Sequence, residues 1–428
     1  MSLLEERKSA IHLLRSGKSV FETAQELSRS ETWVRKWRAR YDEEGWSGLE
    51  SRSTRPHHIH RETSDEVKRE IHKARSELES EASSGTGLKY IGGQAIRTRL
   101  RDKGVEPLPS IPTIERVIRS AGMTRPYQPV EAPEVDYPHL KVEDPQGLVQ
   151  VDIVPHYLKG GERVACFNAI DVVSRYPTGK AYAQRRSVDA ADFLIHVWRE
   201  LGIPAYTQVD NEGCFSGGAT HPKVLGKVLR LALQAKTELV FSPVRHPQSN
   251  GFVERFHQDY DKHVWQDTYL DAIEAVQQQA EGFFKLYRKR PHSRLKEKAP
   301  DEVHREPTRT PDDLVVASEK RTLFEGKVHF IRKVFDDNAI SVLNERYPIE
   351  KAKPNDGVWV TLNINKDGSC LHIFDTAPDA TSRKLLASFP FEIEEIVVSH
   401  PDSLALSKAT RSIDGYSIDK ALSSNAMS

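Results

Sequence analysis

The residues predict a multidomain chain: α helix-turn-helix domains, then an α/β core with a mixed five-stranded sheet and helices, then a small all-β barrel. Three observations predict it. Apolar residues recur at helical spacing through the first 121 positions, with basic residues on the outer faces. From residue 148 short apolar strands alternate with helical stretches, and after 310 only short strands and turns remain.

The first domain is read as residues 1–48. In "SVFETAQELSRSETWVRKWRARYDEEG", Val20, Ala24 and Leu27 repeat at one helical face, and Val34, Trp37 and Tyr41 at another. Ser30 is placed to cap the second helix, and Ser28-Arg29-Ser30 has the length of a tight turn. The outer face of that helix carries Thr32, Arg35, Lys36, Arg38 and Arg40, side chains suited to a major groove. The plain alternative is a solvated basic face on a helical hairpin. Residues 49–63 read as a basic linker, with Arg52 and Arg55 as phosphate contacts; His57, His58 and His60 lack the cysteines and spacing of a tetrahedral metal module.

A second helix-turn-helix is expected over 64–124, with helices near 64–80, 92–103 and 110–121. Ile96, Leu100, Ile114, Val117, Ile118 and Ala121 supply its apolar faces, and Thr113, Arg116 and Arg119 its outer side. Five prolines in 125–147 mark a linker. The core is expected over 148–305. "LVQVDIV" reads as a strand, "RVACFNAIDVVS" and "YPTGKAYA" as a hairpin pair, and "VDAADFLIHVWRELG" as a helix capped by Ser187. "AYTQVD" and "ELVFSP" are the remaining strands, with helices near 222–235, from 250 and over 269–288. The barrel is expected over 310–400, and 401–428 as a flexible tail.

The 428 residues give length for two to four domains. Lys plus Arg and Asp plus Glu both number 62, so a globally basic nucleic-acid coat is excluded while local basic surfaces are not. Charges interrupt the apolar run at the N-terminus and no 18-residue apolar stretch exists, which predicts a cytoplasmic protein without a signal peptide. Three scattered cysteines suit a reducing compartment and fit neither a disulfide framework nor a zinc module.

Three acidic residues carry the chemistry. Asp152 lies inside the apolar strand "VQVDIVP", Asp210 closes the strand "TQVD", and Glu254 rides the first turn of the helix begun in "SPVRHPQSNGFVER". An aspartate within an apolar strand must be hydrogen-bonded or bound to a cation, because an isolated buried carboxylate is too costly. Converging carboxylates push one another's pKa values up unless divalent cations neutralise them. Oxygen donors with open positions suit two Mg²⁺ ions, with Mn²⁺ as a substitute, in phosphodiester transfer. Asp171 is a rival acid, expected instead to bond the Ser174 hydroxyl or Arg175 at the hairpin; Glu212 is assigned a loop role, with an auxiliary ligand as the alternative. Cys214 lacks the base a nucleophile needs, and His246 either orders its loop or touches DNA. Arg288, Lys289, Arg290, Arg294, Lys296 and Lys298 form the strongest basic run, read as strand or target-DNA contacts against a plain solvated face, and Arg255 offers a phosphate contact beside Glu254.

With these motifs in order, the chain resembles the retroviral-integrase-like DDE transposases of bacterial insertion sequences. The matching stretches are Asp152, "VDNEGCF" with Asp210, "HPQSNGFVERFH" with Glu254, "IDVVSRYPTG" and "RPHSRLKEKAPDEV"; they span roughly residues 15–305. The resemblance implies a ribonuclease-H-like integrase catalytic core and a helix-turn-helix arm that binds element ends. It departs in two ways: the 43 residues between Asp210 and Glu254 exceed the family's common spacing, and Glu212 stands where a glycine is usual. The paired His and Cys of an integrase zinc arm are also absent. The implied function is a Mg²⁺-dependent transposase that binds transposon ends, frees a 3′-hydroxyl and joins it to target DNA. Implied partners are double-stranded terminal-repeat and target DNA, further copies of the chain in a dimer or tetramer, and a helper ATPase. The rivals are a domesticated DNA-binding regulator with a non-catalytic core and a metal-dependent nuclease that does not join.

Overall fold

The computed structural model describes residues 3–51, 63–83, 88–124, 135–217, 222–244, 246–311 and 322–400. The chain divides into two compact units, Met1–Ser64 and Asp65–Ser428. The linker residues Arg52 and Arg55, and the tail expected over 401–428, lie outside the described residues.

In the first unit, α1 (Leu3–Arg15), α2 (Val20–Glu26) and α3 (Glu31–Glu44) lead into a 3₁₀ turn at Gly45–Leu49. Ser19 and Glu22 cap α2 reciprocally, and the Ser30 hydroxyl accepts the Trp33 amide at 3.2 Å, so the expected cap is present. Ser28 takes the left-handed conformation at φ 53°, which turns the chain between the two helices. Ile11, Trp37 and Leu49 form the core. Arg7 lies 3.9 Å over the Trp37 ring and donates to the Leu49 carbonyl at 2.8 Å, closing the unit around one tryptophan.

The second unit begins with three helices, α4 (Asp65–Ser83), α5 (Gly93–Asp102) and α6 (Ile111–Ser120). Ile96, Leu100, Ile114, Val117 and Ile118 bury against one another as the spacing predicted, joined by Ile71 and Ala74 of α4, whereas Ala121, just past the end of α6, is exposed. Then come β1 (Leu148–Tyr157), β2 (Arg163–Asp171), β3 (Pro177–Tyr182), α7 (Ser187–Leu201), β4 (Tyr206–Val209), α8 (Gly213–Ser216), α9 (Lys227–Ala235) and β5 (Glu238–Phe241). Two further helices, α10 (Gly251–Tyr260) and α11 (Ile273–Arg288), lie beyond the last of these strands, and α12 (Pro300–Val303) closes the segment. Ser187 is the first residue of α7 rather than its cap; the Arg186 amide donates to the Asp189 carboxylate at 3.0 Å.

β1, β2 and β3 form an antiparallel meander, and β4 and β5 add parallel to β1. One apolar layer (Val149, Val151, Ile153 with α7 and α9) covers one face. Val253, Phe256, Phe283, Phe284 and Tyr287 of α10 and α11 cover the other. At Gly179 a side chain would collide with Asn168 Oδ1 at 2.4 Å and Phe284 at 2.7 Å, so α11 approaches β3 only because glycine stands there.

The expected separate barrel is not what the C-terminal residues build. β6 (Leu323–Phe324), β7 (Gly326–Lys333), β8 (Ala339–Val342), β9 (Glu345–Pro348), β10 (Gly357–Ile364), β11 (Ser369–Phe374), β12 (Leu385–Phe391) and β13 (Val397–Val398) follow. Four of them extend the core sheet into nine strands, ordered β12-β11-β10-β7-β5-β4-β1-β2-β3, while β13-β6 and β8-β9 form small pairs. The physical reason is the edge of β5. Leu239, Val240 and Phe241 are buried on both faces, and a bare edge beside them would leave unpaired backbone groups and apolar surface. β7 pairs parallel with β5, and Phe330 stacks on Phe241 with centroids 5.1 Å apart. His329 links Glu238 at 2.6 Å to β10, where the Trp359 indole donates to its Nδ1 at 3.0 Å.

A chain ending at residue 311 should therefore aggregate rather than yield a trimmed core. Gel filtration and thermal melting test this; a soluble monomer that melts cooperatively would contradict the shared sheet.

Candidate active site

The sheet side chains that face α10 decide where its N-terminus sits. β1 and β4 run in parallel with Gln150 beside Gln208. Gln150 Oε1 accepts the amides of Phe252 and Val253 at 3.1 and 3.3 Å, capping α10 from the sheet. Gln208 Nε2 donates to Ser242 Oγ at 3.0 Å, to the Ser249 carbonyl at 2.9 Å and to Asn250 Oδ1 at 2.8 Å. Ser242 Oγ and Asn250 Oδ1 also bond at 3.0 Å. Asn250 immediately precedes the helix, and Gln150, Gln208, Ser242 and Asn250 are all buried. The polar turn at Ser249 and Asn250, ahead of α10, is thus held by amides rising from two strands.

Alternation then fixes the acids. Asp152 is two residues beyond Gln150, and Asp210 two beyond Gln208 just past the end of β4. Glu254 follows one turn into α10. Asp152 Oδ1 accepts its neighbour's amide, that of Ile153, at 2.9 Å, and Asp210 Oδ1 accepts the Glu212 amide at 3.0 Å. Burial raises the Asp152 carboxyl to about 6, and the charges of Glu254 and Glu212 add to the effect. Burial raises Asp210 to about 7, with Glu212 and Asp152 contributing and Arg185 opposing. Glu254 is raised by burial. Asp152 therefore feels both Glu254 and Asp210. Among the described residues, no group of three or more His, Cys, Asp or Glu side chains stands close enough together to hold a metal ion.

His257, one turn beyond Glu254, puts Nδ1 3.5 Å from Asp152 Oδ2. Burial lowers its pKa to about 4, so at neutral pH the ring is uncharged and the contact is not an ion pair. His156, further along β1, meets Asp261 at 3.0 Å and stacks on Trp265 at 4.2 Å, where α10 runs into a π-helical turn. Glu212 pairs with Arg185 at 2.6 Å and heads α8, a loop role as expected. Asp171 is fully buried and accepts bonds from the Gln146, Val173 and Ser174 amides and the Ser174 hydroxyl, so it serves the hairpin. Burial and the neighbouring Glu212 and Asp210 charges push the Cys214 thiol up to about 12, which removes it as a nucleophile. His246 Nδ1 meets Ser249 Oγ at 2.9 Å and its ring packs on Tyr137, so it orders the loop.

The basic residues divide by what they already touch. Thr32, Arg35, Lys36 and Arg38 are exposed on α3, with Arg35 reaching Glu31 at 2.6 Å and Arg38 reaching Asp42 at 3.8 Å. Arg40 instead lies 4.6 Å over Trp37 and donates to the Glu50 carbonyl at 3.1 Å. Arg116 and Arg119 are exposed on α6, while the Thr113 hydroxyl bonds Ser110 at 3.0 Å. Arg288 donates twice to the Pro177 carbonyl, at 2.9 and 3.2 Å, and covers Tyr176, so it braces the hairpin. Arg290 sits 3.3 Å over Tyr90. Lys289 and Arg294 are exposed, and Arg255 contacts Asp259 at 3.3 Å with most of its side chain in solvent.

Gln208, Ser242 and His257 were not singled out by sequence reasoning, and Asn250 was read only as half of an Asn-Gly turn into the helix. One signal was available: Gln-Val-Asp occurs at both 150–152 and 208–210, and parallel register sets the glutamines side by side. Gln150→Leu should leave the Phe252 and Val253 amides without an acceptor and cost about 2 kcal/mol. Urea unfolding checks it, and a change below about 0.5 kcal/mol would deny the cap.

Residues 7–68 match the family described as winged helix-turn helix, and residues 235–300 match the integrase core domain. The second match holds Glu254 but neither aspartate. A structure of the HTLV-2 integrase catalytic core domain in complex with magnesium is similar at 15% identity and a TM-score of 0.29, covering 38% of this chain and 98% of that one. An intasome of simian T-cell lymphotropic virus, in complex with PP2A regulatory subunit B56 gamma, gives 12% identity and a TM-score of 0.34 over 72% of this chain and 95% of that one. The catalytic core domain of BIV integrase gives 16% and 0.28, over 36% and 92%. Two segments therefore carry the sequence likeness: residues 7–68 to a winged helix-turn helix and residues 235–300 to an integrase core domain.

Proposed function

We propose that this protein is a DNA transposase that binds element ends through its N-terminal helices, cleaves a phosphodiester to expose a 3′-hydroxyl and joins that end to target DNA. The observation that carries the reading is the placement of the three acids: Asp152 and Asp210 lie two residues beyond the paired Gln150 and Gln208, and Glu254 is on the first turn of the helix that Gln150 caps. By chemistry the donor set suits divalent cations, although the described side chains are not drawn together closely enough to hold one: all three are oxygen ligands, and burial raises their pKa values, with neighbouring charge adding at Asp152 and Asp210. Asp152, Asp210 and Glu254 would hold two Mg²⁺, which when bound activate the attacking oxygen and stabilise the leaving one. Gln150 and Asn250 fix the start of the helix that carries Glu254. Arg255, on the same turn of α10 and largely in solvent, is placed to contact a phosphate. Arg35, Lys36, Arg38, Arg116 and Arg119 are placed for the element end. Two ends must be brought together for joining, so a homo-oligomer on DNA belongs to this reading. No described helix is long and apolar enough to cross a membrane.

Replacing Asp152 or Asp210 by Asn, or Glu254 by Gln, should lower cleavage and strand transfer by two to three orders of magnitude or more, assayed on duplexes carrying the element's ends with Mg²⁺ or Mn²⁺. Wild-type activity in Asp152→Asn would remove the assignment. DNA binding with no metal-dependent nicking would instead favour a regulator, and cut ends without joined products a nuclease.

The raised pKa values have a signed consequence. The folded protein keeps protons on Asp152 to about 6 and on Asp210 to about 7, whereas an unfolded chain releases them near 4. Ionisation across that window therefore penalises the metal-free folded state as pH rises. Asp210→Asn should raise the melting temperature of metal-free protein by a few degrees at about pH 8 and by less at about pH 4. Added Mg²⁺ should stabilise the wild type more at the higher pH and leave Asp210→Asn nearly unchanged. Calorimetry reads both, and a pH-independent difference would contradict the coupling.

A further inference from the structure

The C-terminal strands do more than cover β5. Arg332, on β7, donates from Nη2 to Asn211 Oδ1 at 2.9 Å and from Nη1 to the Ser242 carbonyl at 3.3 Å. Its Nη1 also reaches the Ile331 carbonyl at 2.9 Å, and Nε the Ser341 carbonyl at 3.0 Å. Asn211 is the residue after Asp210, and its amide donates to the same Ser242 carbonyl at 2.5 Å. Ser242 in turn holds Asn250, the residue before the Glu254 helix. One guanidinium thus touches the loop leaving Asp210 and the strand end leading to Glu254. No carboxylate pairs with it among the described residues: each acceptor is a carbonyl or amide oxygen. Burial lowers its pKa to about 10, so it stays charged at neutral pH. A partly buried cation bonded only to neutral oxygens is poorly explained as a stabilising ion pair. It is well explained as a fork whose planar donors fix two chain segments at once.

We propose that Arg332 is a positioning residue for the carboxylate site, fixing the Asp210 loop and the approach to Glu254 to the C-terminal strands. Its catalytic consequence rests on the transposase reading; its mechanical consequence does not. A lysine keeps the charge but cannot span both acceptors. In the full-length chain, Arg332→Lys should fold with a melting temperature close to wild type. Amide hydrogen exchange should rise about tenfold or more at 210–217 and 242–250, and stay unchanged at 357–364. In strand-transfer assays kcat should fall about tenfold or more with KM for DNA unchanged. Asn211→Ala should give a similar loss, and the double variant little more than either.

Unchanged exchange at 210–217 would overturn the proposal, as would a rise spread equally over β10, since that marks general loosening. Raised local exchange with wild-type kcat would overturn the positioning role. A wild-type protein without activity would sink the transposase reading alone, leaving the exchange result to decide whether Arg332 holds the loop.

Discussion

Everything that makes this site possible depends on four amide and hydroxyl side chains buried between the sheet and α10. Gln150 and Gln208 rise from neighbouring strands and take hold of Ser242, Asn250 and the first amides of the helix. Buried polar groups of this kind are costly unless all are satisfied, and here each partner answers another. The result is a helix start placed by strands rather than by its own loop. A loop crossing so polar a turn would otherwise be free to wander, and the glutamate one turn later with it.

Around that latch, charge and packing pull in opposite directions. The carboxyls are partly desolvated, and neighbouring negative charge adds to this at Asp152 and Asp210, so each gains by keeping a proton. What opposes this is rigid: the β1–β4 ladder, the latch on α10, and the Asn211–Ser242–Arg332 contacts from the far strands. The sheet therefore holds raised-pKa carboxyls in a stable frame, an arrangement that the proposed cations would relieve.

Much of this was legible. Helical spacing found α3, α5 and α6, and strand alternation found β1 to β5 and set Gln150 and Asp152 on one face, because these signals are local and periodic. Asp171 was legible too, since an acid two to four residues from Ser174 and Arg175 has a local partner. The destination of the C-terminal strands was not. Periodicity states that β7 is a strand, and says nothing of whether its edge pairs within a barrel or with β5, a choice made by backbone groups identical in every residue. The internal contacts of Arg288 and Arg40 were not legible for a related reason: a cation on an outer face looks the same in sequence whether or not a carbonyl of its own chain awaits it. His257 was invisible because its partner is a hundred residues upstream.

The repeated Gln-Val-Asp triplet has one more implication. Within β1 the helix latch and the acid lie two residues apart, on one side of the ribbon, so a single-residue slip in pairing would turn both to the opposite, greasy side. Misassembled copies would then be unable to seat the helix or present the aspartate. For a protein whose proposed work is to cut genomes, that shared fate is a safeguard: whatever fails to fold correctly is also disarmed.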